Sequence, residues 1–302
     1  MAFRLKKSES LKKAIQRVAR EQVDDAIKEL KDDSLGPHEA VHQFRKHCKK
    51  MRGLLRLVRP AMEKTYQREN EWYRDQSREL SRVRDAEAMI EAMEAICKNR
   101  KQGSDGEQEL IAAAIKTLQD HKEQLAREWI DIDNELSRTA DELKAARDRI
   151  DDWHLDPNDF DAARKGLKKT YKRACKALAT AIDDPTSEKL HELRKRTKYH
   201  WYHMRLLEGA FEPVLSTRSD QCKLLSDYLG DDHDLSVLTL FILDAPDRFG
   251  DAPAQEQLMK IIQLRRQELQ SDGMKLAKLL YAESPKKFVA RITTYWENWR
   301  DE

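Results

Sequence analysis

Six side chains on one short stretch of this 302-residue chain carry the same kind of chemistry: His42, Arg45, Lys46, Lys49, Arg52 and Arg56. They fall at +3, +4, +7, +10 and +14 from the first, a spacing that gathers side chains on one face of a helix. Between Ala40 and Met62 there is no acidic residue, and Lys50 and Arg59 add further positive charge. A second stretch repeats the pattern with His191, Arg194, Lys195, Lys198 and Arg205. Trp201 stands there where the first has Arg52, and Glu192 is its one acidic residue.

Like charges at i,i+4 destabilise an isolated helix by about 0.2–0.5 kcal/mol per pair. A chain this rich in Asp and Glu has the means to interleave them, so an unneutralised stripe points to a partner that brings negative charge. Each stripe, about 14 residues long, extends roughly 21 Å at 1.5 Å per residue, which suits several consecutive phosphates better than one small anion. Arginine offers phosphate a bidentate fork and lysine a compact point charge. Histidine titrates near neutrality, and adjacent phosphates favour its charged form. A single charge run is in general a solvated face. Two copies that both open His-x-x-Arg-Lys-x-x-Lys weigh against that reading.

Composition sets the frame for these stripes. Charged residues make up 37% and hydrophobic ones 39%, the balance of amphipathic helices with a thin apolar stripe. The formal net charge is only +2 from 57 basic and 55 acidic residues, so distribution matters more than total. No apolar run is long enough to span a membrane, and the basic start MAFRLKKSES lacks the apolar core of a signal peptide. Cys48, Cys97, Cys175 and Cys222 stand singly, which speaks against a disulfide scaffold or zinc knuckle and fits a reducing cytoplasm.

Apolar residues recur at three- and four-residue spacing nearly throughout, as in Leu110, Ile111, Ala114, Ile115, Leu118, Leu125 and Trp129. The pattern predicts an all-α protein of eight or nine helices. Breaks are expected at Gly36-Pro37, Pro60, residues 102–106, 156–159, 183–185, 211–213 and 245–253, and Ser284-Pro285. Displacing the chain by 149 residues superposes His42 on His191, Arg45-Lys46 on Arg194-Lys195, Lys49 on Lys198, Arg56 on Arg205, Leu80 on Leu229 and Asp85 on Asp234. The register holds without insertion, so each half is expected to be one copy of the same helical unit. Equivalent faces of such units commonly meet across a two-fold axis.

Catalytic patterns are missing. The chain holds no Gly-rich phosphate loop, nucleophile elbow, H-E-x-x-H or dinucleotide fingerprint, and no paired carboxylates are expected beside the stripes to hold magnesium. Asp231, Asp232, His233 and Asp234 are a weak metal pattern, since Arg84 stands at the position equivalent to His233. The same segment, like Leu80 to Asp85, is a candidate support for a stripe arginine. His38/His42 and His200/His203 have metal-compatible spacing without a third ligand, and capping and polar-surface roles are expected for them. Met89, Met93, Trp129, Trp296 and Trp299 are expected in helix packing. No metal site and no cofactor is predicted.

The segments VHQFRKHCKKMRGLLRLVRP and LHELRKRTKYHWYHMRLLEGAF resemble the paired signature helices of the CHAD family, the conserved-histidine α-helical domain. LSRVRDAEAM and LGDDHDLSVL are similar to its Leu-Gly-x-x-Arg-Asp-x-x-Val-Leu element, and the resemblance runs from about Leu11 to the C-terminus. It implies two pseudo-symmetric four-helix-bundle lobes, residues 1–150 and 151–302, around a central basic channel. It further implies non-catalytic binding of inorganic polyphosphate in the cytoplasm, in association with polyphosphate granules or polyphosphate-metabolising enzymes. His42, Arg45, Lys46, Lys49, Arg52 and Arg56 would line one side of the channel. His191, Arg194, Lys195, Lys198 and Arg205 would line the other. Arg17, Arg20, Arg84, Lys168, Lys169 and Lys172 would extend it.

Trp201, His233 and Ser81 depart from the family pattern. The E-x-E-x-K motif of fused triphosphatase domains does not precede Leu11, so hydrolysis is not implied. Single-stranded RNA or DNA is the alternative ligand, and it is disfavoured because the first stripe carries no aromatic platform for bases. An enzyme of phosphate-chain metabolism is the remaining alternative.

Overall fold

The computed structural model describes residues 3–80, 82–99, 104–128, 131–157 and 159–301, with the side chains of residues 82–85 and 99 outside that description. Among the described residues there are eleven α-helices and no strand. They are α1 (Leu11–Leu30), α2 (Pro37–Val58), α3 (Glu63–Glu79), α4 (Arg82–Asn99), α5 (Asp105–Glu128), α6 (Ile132–Asp148), α7 (Phe160–Asp183), α8 (Ser187–Leu207), α9 (Glu212–Asp244), α10 (Ala252–Leu280) and α11 (Pro285–Asp301). Short 3-10 turns, Arg59–Ala61 and Glu208–Ala210, follow α2 and α8.

The helices begin where local chemistry satisfies the free N–H groups of a first turn. Ser10, Asp159, Thr186 and Asp251 accept from the backbone N–H of Lys13, Asp161, Lys189 and Ala254. Pro37 occupies the first turn of α2, where its missing N–H costs nothing.

Eleven helices correct the expected eight or nine. The additional junctions lie at Leu80, between α3 and α4, and between Glu128 and Ile132. Neither has a proline, and the flanking residues keep a helical pattern, so composition alone did not mark them. In the second copy the counterpart of the first junction is unbroken: α9 runs 33 residues straight through Leu229 and Gly230.

The 149-residue displacement reappears as element order. Leu11 and Phe160, Arg59 and Glu208, and Glu63 and Glu212 each open equivalent elements. Yet the apolar packing joins the halves. One buried cluster combines α1, α2, α3 and α6 with α7, α8, α11 and the start of α9. The other combines α4 and α5 with the end of α9 and α10. Met89, Met93 and Trp296 are buried and Trp299 packs against the core, as expected; Trp129 lies outside the described residues.

Two glycines set the closest helix approaches. A Cβ at Gly166 of α7 would stand 1.8 Å from the Leu57 carbonyl oxygen and 2.7 Å from that of Arg56. A Cβ at Gly53 of α2 would meet the Tyr202 ring and Cβ at 2.8 Å. Gly166→Ala therefore forces backbone apart and lowers stability by about 1–3 kcal/mol. Gly106→Ala, at an open helical position, leaves stability unchanged or slightly higher. Thermal unfolding of the two variants reads the opposite signs.

Candidate functional site

The two stripe helices meet at Gly53 and Tyr202. His203 Nε2 donates to the Gly53 carbonyl at 3.1 Å, and the Arg56 guanidinium lies 3.9 Å from the centre of the Tyr199 ring. Lys50 lies next to Arg205, whose charge helps to depress its pKa after burial does. Contacts 53–202, 56–199 and 50–205 require α2 and α8 to run in opposite directions. Gly53 and Tyr202 are themselves 149 residues apart in sequence, so this contact is its own equivalent under the repeat. The crossing joins the two copies through corresponding positions and brings the C-terminal parts of both stripes to one place.

On the α2 side, Arg56 is only 8% exposed. Its Nη1 donates to the Arg52 carbonyl at 2.9 Å and to Asn70 Oδ1, while Arg52 Nε donates to the same Asn70 oxygen at 3.4 Å. Burial lowers the Arg56 pKa, and Arg52 and Arg196 lower it further. Stacking on Tyr199 opposes this by about 2 kcal/mol for a desolvated cation over a ring. Arg205, the counterpart of Arg56, sits 5.6 Å from Trp201 and 5.7 Å from Phe3 instead. Trp201 thus replaces a cation of the first stripe with a surface on which another cation rests.

The second stripe lies against α9. Gly230 leaves the space that the Arg194 guanidinium occupies, for a Cβ there would stand 2.7 Å from Nη2. The His191 and His233 rings have centroids 4.3 Å apart. Burial, followed by the charge of His233, drives the His191 pKa down to about 4. Lys198 is half-buried, and desolvation with the charge of Arg194 lowers its pKa to about 8.

Carboxylates approach this stripe. Asp227 and Asp234 act on Lys198, and burial together with these two raises the Asp231 pKa to about 6. All three project from α9, whose continuity through Gly230 places them beside α8; they lie far from the stripe in sequence. No group of three or more His, Cys, Asp or Glu side chains suited to a metal ion occurs among the described residues.

Of the other predicted members, some are ion-paired and the rest lie along the helices away from the crossing. Arg17 is bonded to Glu9 and Glu21, and Arg20 to Asp151. Lys195 and Arg196 share Glu192. Lys46 is exposed and acts on Glu29 of α1. His42, Arg45 and Lys49 are half-buried on α2. Lys168 lines a cleft between α7 and α11 with Arg164, Lys165 and Lys286, Lys172 is exposed, and Lys169 lies near Arg59 and Arg173. The Arg84 side chain lies outside the described residues. His200 and His203 are fully buried rather than on a polar surface: Arg218 Nε donates to His200 at 3.2 Å, and His203 holds the helix crossing. Tyr199 and Arg196 were not anticipated. Their signal was antiparallel register, which a linear displacement does not reveal.

An anion that contacts Lys198 needs its ammonium form. Should a polyanion bind here, its affinity is expected to fall as pH rises through about 8, and Lys198→Arg to remove that fall, because arginine stays charged throughout. Titrations at pH 7 and pH 9 measure both.

No individual curated protein matches the chain. The family model of the CHAD domain matches residues 14–243, from α1 to the end of α9 and across both stripes and their crossing. The chain belongs to the CHAD domain family, a family of generally non-catalytic domains associated with polyphosphate binding.

Proposed function

We propose that the protein binds inorganic polyphosphate without cleaving it, along a basic path formed by α2 and α8 where residues 1–150 and 151–302 come together, and that it does so at polyphosphate granules in the cytoplasm. The observation that carries this reading is the antiparallel crossing at Gly53 and Tyr202, which brings the C-terminal parts of two like-charged stripes together. A fold that buries Arg56 beside Arg52 and Arg196 incurs a cost that a bound polyanion relieves.

Binding is multivalent electrostatics. Phosphates displace condensed counterions, arginine forks fix the chain, and the depressed His191 and Lys198 regain charge as negative charge approaches. Affinity then declines steeply with salt, as for other linear polyphosphates such as nucleic acids. The membrane has no role in this reading; no helix among the described residues is long and apolar enough to cross one.

Titration with long-chain polyphosphate at two salt concentrations tests the proposal. Arg45→Glu with Arg194→Glu should weaken binding by roughly 100-fold or more, since each charged hydrogen bond contributes about 1.5–3 kcal/mol, with helicity by circular dichroism retained. Unchanged binding contradicts the stripe assignment. RNA that displaces polyphosphate at equal phosphate concentration contradicts the ligand. Phosphate released on incubation with magnesium contradicts the absence of catalysis.

A further inference from the structure

The end of α2 gathers more positive charge than the stripes account for. Arg59 opens the 3-10 turn that follows α2, and it is 7% exposed. Its Nε and Nη2 are buried without a hydrogen-bond partner, as is Nε of Arg56. Gly166 lets α7 press on this same end, and Lys169 and Arg173 follow it at +3 and +7 on the face it sets. Both remain exposed. The groups that most affect Arg56, Arg59 and Lys169 are other cations and the tyrosines Tyr66 and Tyr199, with no carboxylate among them. The carbonyl end of a helix is worth roughly half a negative charge, far too little to balance Arg56, Arg59, Lys169 and Arg173.

The equivalent end in the other copy is built differently. Under the 149-residue displacement, Arg59 corresponds to Glu208 and Arg173 to Asp24. Asp24 is itself paired with Arg147. Lys169 corresponds to Arg20, which Asp151 holds. Two otherwise similar helices thus end in opposite electrostatic settings, one cationic with buried unpartnered guanidinium nitrogens beside the Arg59–Tyr66 hydrogen bond and one neutralised.

We propose that Arg56, Arg59, Lys169 and Arg173 form a subsite for the terminal phosphoryl group of a linear phosphate chain, so that a chain is held by its end and leaves along the stripes in one direction. The inference rests on the polyphosphate reading of the long path. A terminal phosphoryl group differs from an internal one by a second ionisable oxygen, with a pKa of about 6 in a phosphomonoester. At neutral pH it therefore offers more charge and more acceptor oxygens than any internal phosphate. Buried guanidinium donors reward that difference, because each charge-assisted bond strengthens when water is excluded.

Calorimetric titration of the full chain with tripolyphosphate, cyclic trimetaphosphate and orthophosphate tests this. Tripolyphosphate has terminal groups, trimetaphosphate has none, and orthophosphate is the free anion without a chain. Tripolyphosphate should bind with one-to-one stoichiometry, and the other two at least about tenfold more weakly. Arg59→Met should weaken tripolyphosphate roughly tenfold or more, the range for loss of a charged hydrogen bond. Lys169→Met with Arg173→Met, at exposed positions that leave the fold intact, should do the same. Arg45→Glu with Arg194→Glu should leave tripolyphosphate bound while long chains are lost. Equal affinity for the linear and cyclic compounds overturns the subsite, as does orthophosphate binding as tightly as tripolyphosphate. Unchanged tripolyphosphate binding in the Lys169/Arg173 variant overturns it too. Failure of the wider reading looks different, since wild type then fails to bind long-chain polyphosphate.

Discussion

Everything in the site depends on how closely α2 and α8 approach at Gly53. A missing side chain there lets the Tyr202 ring seat on the backbone, and the His203 imidazole seals the contact through the Gly53 carbonyl. The same register puts Arg56 on Tyr199 and Arg205 beside Lys50. Gly53 and Tyr202 stand 149 residues apart, so one contact ties the two halves of the chain together at corresponding positions. A bulkier residue at 53 would push apart the positions where the stripes converge.

The convergence is electrostatically unfavourable in isolation, and its remedies differ at each position. Tyr199 shields Arg56 with its ring, and Asn70 accepts from both Arg52 and Arg56. Lys198 and His191 respond by shifting toward their neutral forms. Near Lys198, α9 contributes Asp227, Asp231 and Asp234, of which Asp231 holds its proton to about pH 6. Groups poised in this way are sensitive to a ligand: incoming negative charge reverses the shifts of lysine and histidine while raising the cost of the nearby carboxylates.

The stripes, the repeat and most helix boundaries were legible in the sequence because each is a local or periodic signal. His-x-x-Arg-Lys-x-x-Lys needs only helical spacing, and Gly36-Pro37 or Asp183-Asp184-Pro185 break a helix by backbone chemistry alone. The junction after Leu80 carried no such residue. On α9, Asp231 to Asp234 stood out in the sequence as a candidate support for the stripe, but Asp227, one turn earlier, did not, because only packing decides which neighbour a helical face meets. Arg17 and Arg20 matched the charge pattern of the site, while Glu9, Glu21 and Asp151, remote or merely adjacent in sequence, claim them in three dimensions. His200 and His203 looked like surface residues by type, and burial at a helix crossing overrode that preference.

The central claim is that α2 and α8 make one site and not two. Mass-spectrometric footprinting of lysine reactivity, with and without one equivalent of long-chain polyphosphate, tests it most directly. Lys46 and Lys49 on α2 and Lys195 and Lys198 on α8 should become protected together, at the same polyphosphate concentration, while exposed Lys275 on α10 stays reactive. Protection confined to one of the two helices at saturation, or arriving at two separate concentrations, would contradict the account.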